Sequence, residues 1–176
     1  MKFINNFEFT TYLEEFKHID CTFQNGRFAR IDILDASVQN VIFKDVSFLK
    51  AEFTNWNFTN CVFENCAIDR LTINKENMHN VSFMNCTICK FSLFNIDVRD
   101  LLIQECRLDR FWLVRCTISN LIADNCRLAP QKPNSKFNTY NGYLDIEADE
   151  SSLRQLQSVP FHSLEELEEQ KKKMDN

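Results

Sequence analysis

Eight cysteines, three histidines and one oddly placed glutamate are the residues of this 176-residue chain whose types suggest chemistry. Cys86 and Cys89 form a Cys-x-x-Cys pair, a spacing used by redox dithiols and, where a second such pair follows, by zinc. No second pair follows. Cys66, Cys86, Cys106 and Cys126 recur every 20 residues. A metal would need such thiolates to converge, whereas a linear stack of inward thiols is packing by small, weakly polar groups. His18, His79 and His162 are far apart in the chain, and no nucleophile, base and orienting group surround any of them. Two glycines cannot build a phosphate-cradling loop, and neither His-Glu-x-x-His nor a calcium loop occurs. No catalytic, metal-ligating or cofactor-binding residue is therefore expected, and the chain reads as a binding protein, not an enzyme.

The elements that hold these residues show in the stretch FTNWNFTNCVFENC, residues 53–66, where Phe53, Phe58 and Phe63 return every five positions. A strand repeats every two residues and a helix every 3.6, so five fits neither. Stepping by five from Phe23 to Leu128 meets 22 apolar residues in succession. At 44% apolar composition this would arise by chance on the order of once in 10⁸ trials, so the period is real. A second register two residues earlier, from Cys21 to Cys126, is apolar or glycine everywhere except Glu76. Each unit thus reads apolar, polar, apolar, polar, polar, with two residues of five inward. Cys86 points inward in this register and Cys89 outward, which removes the redox and zinc readings of the pair. Glu76 falls in an inward column, where a carboxylate needs a partner or a raised pKa. A local bulge is the favoured explanation.

This unbroken register over residues 21–129 resembles the pentapeptide-repeat family. The resemblance implies a mainly β fold, a right-handed quadrilateral parallel β-helix in which each five-residue unit makes one side. Twenty-two units at four per coil give about 5.5 coils, a rod of ~26 Å at ~4.8 Å per coil. It also implies a non-catalytic role. Some members of the family dimerise through C-terminal elements, and some imitate DNA and bind DNA gyrase, protecting it from quinolones or toxins.

Residues 20 apart then stack in columns, and four faces can be compared. On the first face the outward column contains Thr22, Ile42, Val62, Ser82, Leu102 and Ile122. Ile42, Val62, Leu102 and Ile122 are apolar where the motif favours polar residues. They suit an extended wall, or a docking surface, or a bed for the chain's own C-terminal segment. The second face ends in a corner column of Arg30, Lys50, Arg70, Lys90 and Arg110. Neutralisation by Asp32, Glu52, Asp69 and Asp109 is favoured over a binding strip for an acidic partner. The third face projects Phe94 and Trp112, an aromatic pair suited to contact or to burial under a terminal segment. The fourth has Asn40, Asn60, Asn80, Asp100 and Asn120 at its corner, where stacked amides can bond along the column.

Residues 1–20 leave the register and are expected to cap the rod. Thr11 and Glu14 have capping-box spacing, and Tyr12, Leu13, Phe16 and Ile19 would form one helix face. Beyond Ala129, residues 130–176 are expected to cap or to dimerise: Asn141–Gly142 signals a hairpin, and ESSLRQLQSV and HSLEELEEQKKK read as short helices. Leu153, Leu156, Phe161, Leu164 and Leu167 are the candidate contacts for the last coil or a homodimer. No leader or membrane-length apolar run occurs, so a cytoplasmic protein with reduced thiols is expected.

Net charge is −5. Residues 21–129 hold 12 acidic and 12 basic side chains, so the excess lies at the ends, −2 before and −3 after. A duplex carries one charge per ~1.7 Å, which makes a neutral rod a poor imitation of it. The expected function is a protein-interaction module with an unidentified, bacterial cytosolic partner. The alternative is a DNA mimic that binds gyrase, and binding of nucleic acid through the basic column is weaker still.

Overall fold

The computed structural model describes residues 2–10, 12–108, 111–128 and 144–158. They form a β-solenoid of about six turns in which every strand pairing is parallel. Successive coils align 20 residues apart: Phe63 pairs with Phe43 and Phe83, and Phe83 with Ile103. One wall is a seven-stranded sheet running from Glu8–Phe9 through Arg27–Ala29, Ser47–Leu49, Ala67–Ile68, Thr87–Ile88 and Arg107–Leu108 to Arg127–Leu128. The remaining walls belong to an 11-stranded sheet whose long strands, such as Leu71–Met84 and Phe91–Gln104, run around corners.

Those corners explain the period of five. Among the described residues, nineteen non-glycine residues have φ between 48° and 63°, and from Asp20 onward all of them fall on every fifth position. This left-handed region costs most residues about 1–2 kcal/mol, and Asn and Asp tolerate it best. Fourteen of the nineteen are Asn or Asp. The repeat therefore turns on Asn where another fold would use glycine, which is how a chain with two glycines bends so often.

Inside, the column Phe23, Phe43, Phe63 and Phe83 stacks nearly face to face, with centroids 5.3, 4.8 and 4.5 Å apart. These distances match the ~4.8 Å spacing of strands, so the backbone ladder sets the ring stack. Phe28 lies 5.1 Å from Phe48 in the neighbouring column. Trp56 is fully buried, 3.8 Å from Phe53, and stacks on Phe16 at 5.5 Å. Ala36 sits between Phe16 and Trp56 in the register, and its small side chain lets the two rings meet. The indole Nε1 has no hydrogen-bond partner. Glu76 pairs with Ile96 with no shift of register, so the expected bulge does not occur.

The N-terminal helix is also corrected. Strands β1 (Lys2–Asn5), β2 (Glu8–Phe9) and β3 (Leu13–Ile19) form a further coil on the rod. β1 and β2 pair 19 residues ahead, Phe3 with Thr22 and Phe9 with Phe28, whereas β3 pairs 20 ahead, Leu13 with Ile33. One residue is missing between Phe9 and Leu13, and that gap hid the coil. The shift also explains Gly26. The Phe7 ring occupies its side-chain position, and a Cβ there would collide with the ring carbons.

At the other end, the hairpin signalled at Asn141–Gly142 lies outside the described residues, and the strand Leu144–Ala148 that follows it is described. It runs parallel to Leu113–Ile118. The helix read in ESSLRQLQSV is present as Glu150–Ser158. The second helix expected beyond it lies outside the described residues. No helix among the described residues is long and apolar enough to cross a membrane.

Candidate functional site

The first face gathers the most distinctive surface. Its outward column aligns Thr22, Ile42, Val62, Ser82, Leu102 and Ile122 coil over coil, as their spacing predicts. The column gains a seventh member that the sequence did not offer, since Phe3 pairs with Thr22. Phe3 is 68% exposed and Ile122 46%, while Ile42, Val62 and Leu102 are half-buried between their neighbours. Thr22 is nearly covered, at 5%, with Phe3 and Ile42 on either side in the column. The only signal for Phe3 was the apolar pattern of β1 in a register shifted by one residue.

Polar columns border this strip. Two residues along each strand, Lys44 bonds Glu64 at 2.8 Å and Gln104 donates to Asp124 at 3.1 Å. On the opposite border the Asn column forms a one-way ladder. Asn40 Nδ2 donates to Asp20 at 2.7 Å, Asn60 to Asn40 at 2.9 Å and Asn80 to Asn60 at 2.8 Å. Asp20 only accepts, which fits the bottom rung. Asp100 cannot donate down to Asn80, so a new ladder starts there: Asn120 donates to Asp100, and His79 Nε2 lies 3.3 Å from the same carboxylate.

The helix Glu150–Ser158 finishes the last coil. Asn120 N–H donates to Asp149 Oδ2 at 2.8 Å, Leu121 N–H to Ser152 Oγ at 2.9 Å and Ala123 N–H to Gln155 Oε1 at 3.3 Å. An edge strand would otherwise present these donors unpaired. Of the candidate contacts, Leu153 and Leu156 lie in the helix, their side chains outside the described ones. Phe161, Leu164 and Leu167 lie outside the described residues altogether.

The basic column is only partly drawn together. Arg30, Lys50 and Arg70 are exposed and Lys90 is half-buried, while Arg110 lies outside the described residues. The neutralising contacts expected from Asp32, Glu52 and Asp69 do not form. No ion pair involving Arg30, Lys50 or Arg70 occurs among the described residues. Phe94 is half-buried and pairs with Asn74 and Val114, whereas Trp112 pairs with Ser92, so the two are not aligned as a pair. The Trp112 side chain is outside the described ones.

Seven of the eight cysteines are buried, and Cys89 is half-buried. Cys66, Cys86, Cys106 and Cys126 each donate Sγ–H to a carbonyl 23 residues back, at 3.3, 3.4, 3.4 and 3.1 Å. Burial pushes the Cys61 thiol up to about 11. A hydrogen bond with Cys106, then burial, push the Cys126 thiol up as well. Thiols held protonated in this way are weak nucleophiles and poor ligands. No group of three or more His, Cys, Asp or Glu suited to a metal occurs among the described residues.

A shallow depression of about 310 Å³ on the fourth face is lined by Asn57, Thr59, Asn77, Met78, His79, Asp97 and Arg99. Arg99 is engaged by Asp97 at 2.8 Å and His79 by Asp100, so this lining offers ion pairs, amides and the Thr59 hydroxyl. Neither a protein-family model nor a curated protein matches the chain.

Proposed function

We propose that this chain is a non-enzymatic protein-interaction module of the pentapeptide-repeat kind, and that its docking surface is the first face. One observation carries the reading: Phe3, Ile42, Val62, Leu102 and Ile122 fall in register on one straight parallel wall. The parallel ladder spaces successive coils ~4.8 Å apart and fixes these side chains in the column, with Thr22 and Ser82 between them, so little order is lost when a partner covers them. Removal of apolar surface from water then drives association, and the flanking amides and ion pairs supply a polar rim.

The DNA-mimic reading, with gyrase as the partner, has narrower support. Glu14, Glu15, Asp32, Asp35 and Glu52 gather exposed carboxylates over the first coils of the third face. Thr72 ends the Asp32–Glu52 column and Asn55 the Glu15–Asp35 column, and a duplex has no such interruption.

The test compares the full chain with a Val62→Glu/Leu102→Glu variant as immobilised bait in a cell lysate, with circular dichroism to show that the variant is folded. A partner held by the parent and lost by the variant supports the first face. Identical capture by both sinks that assignment. A gyrase supercoiling assay with and without a quinolone separates the readings, since inhibition or rescue from the drug favours the mimic.

A further inference from the structure

The two ends of the solenoid are finished differently. At the C-terminal coil the Asn120, Leu121 and Ala123 amides are covered by Asp149, Ser152 and Gln155. At the N-terminal end, β1, β2 and β3 each pair on one side only, and no described strand meets their other edges. Ile4, Phe7, Phe9 and Leu13 face the core there but stay partly exposed. Phe3, Tyr12 and Ile19 ring this end at 68, 53 and 64% exposure. An open edge of this kind is a template for another strand.

We propose that a second copy of this chain closes this end, head to head, about a two-fold axis through the corner between Glu15 and Phe16. Such an axis lies across the solenoid and sets the two terminal coils antiparallel. It exchanges the third and fourth faces, so that Leu13, at the centre of one, meets His18, at the centre of the other. The remaining register follows. Glu14 faces Lys17 of the second copy, and Tyr12 faces its Ile19. Symmetry makes each contact twice, as in any isologous interface. At the opposite corner Ile4 meets Phe9 of the second copy. Around the first corner Glu14 falls on Lys17 and Tyr12 on Ile19, pairings of the kinds that stabilise antiparallel strands; Lys17 also lies 3.4 Å from Glu15 of its own chain, and at the opposite corner Phe3 meets Thr10. The other diagonal axis sets Glu8 against Glu14. An axis through the centre of the fourth face sets Lys17 against Ile19 and Glu14 against Phe3. The order Tyr-Leu-Glu-Glu-Phe-Lys-His-Ile is self-complementary about the first corner and not about the others.

Sedimentation velocity on the full chain over a concentration series tests this, with circular dichroism as a check on folding. The parent is expected to dimerise. Glu14→Lys and Lys17→Glu each place like charges together twice and should weaken the dimer by about tenfold or more. The double variant Glu14→Lys/Lys17→Glu restores the pairing and should restore the dimer. A parent that stays monomeric at about 100 μM, where a specific interface of ordinary affinity would be formed, overturns the proposal. So does a dimer indifferent to both single variants, which would move self-association to the C-terminal segment or the first face. A double variant no better than the singles also overturns it.

Discussion

Replacing Asn60 by Ala and by Gly separates the two tasks given to a corner asparagine. Asn60 sits at φ 51°. It donates to Asn40 at 2.9 Å and accepts from Asn80 at 2.8 Å. Both substitutions remove both bonds. These are exposed, so each contributes about 0.5 kcal/mol, the lower end for a hydrogen bond. Alanine also retains a Cβ in the left-handed region, a strain of about 1 kcal/mol, which glycine lacks. Glycine instead gives the unfolded chain more freedom, a cost of roughly 0.5 kcal/mol. The sums are about 2 kcal/mol lost for Asn60→Ala and about 1.5 for Asn60→Gly. At an alanine-free reference such as a wall position, glycine would be the worse residue, so the order itself is diagnostic. For a chain of this size, 1 kcal/mol corresponds to about 2–4 °C in Tm. Urea denaturation followed by circular dichroism at constant m reads the difference directly. If Asn60→Gly proved less stable than Asn60→Ala, the left-handed corner would not be what selects asparagine, and the account of the five-residue period would be wrong.

Three further outcomes are expected. Gly26→Val drives a side chain into the Phe7 ring and should cost about 1–3 kcal/mol by urea denaturation; the cost should shrink in a Phe7→Ala background, and equal costs in both would refute the contact. Ser152→Ala strips the acceptor from the buried Leu121 N–H and should cost about 1–3 kcal/mol, with faster amide exchange at Leu121 as the local readout. Cys61, raised to about 11 in the fold, ionises first in the unfolded chain, so its contribution is intact below the ordinary thiol range near pH 8.5. It is lost as pH climbs through about 11. Cys61→Val, matching Val41 and Val81 in the same column, should therefore lose less stability than the parent between pH 8.5 and 10.5, and parallel losses would refute the assignment.

The column register from Cys21 onward was legible in the sequence because each inward position is filled by composition alone. A polar residue at Phe43 or Phe63 would have been buried without a partner, so selection of apolar types every five residues is forced by burial. The Asn at the corners was legible as a ladder but not as a left-handed backbone, since both demands choose the same residue. Leu13 and Phe16 misled for a physical reason. In a five-residue unit the step from a centre to the next inward residue is three, the same as one helical turn, and the one-residue gap after Phe9 removed the longer pattern that would have distinguished them.

What the sequence by itself determined is therefore the period, the inward columns and the stacking of residues 20 apart, because a repeating burial pattern admits one regular solution. Tertiary structure alone decided what lies at the ends and across the faces. It brought Phe3 into the apolar column, placed Phe7 over Gly26, and set Ser152 under the Leu121 amide. Those contacts depend on the shifted register of the first coil and on the return of a distant segment to the last edge. Neither leaves a periodic trace, because a shift occurs once and an edge needs only a single donor or acceptor at the right place in space.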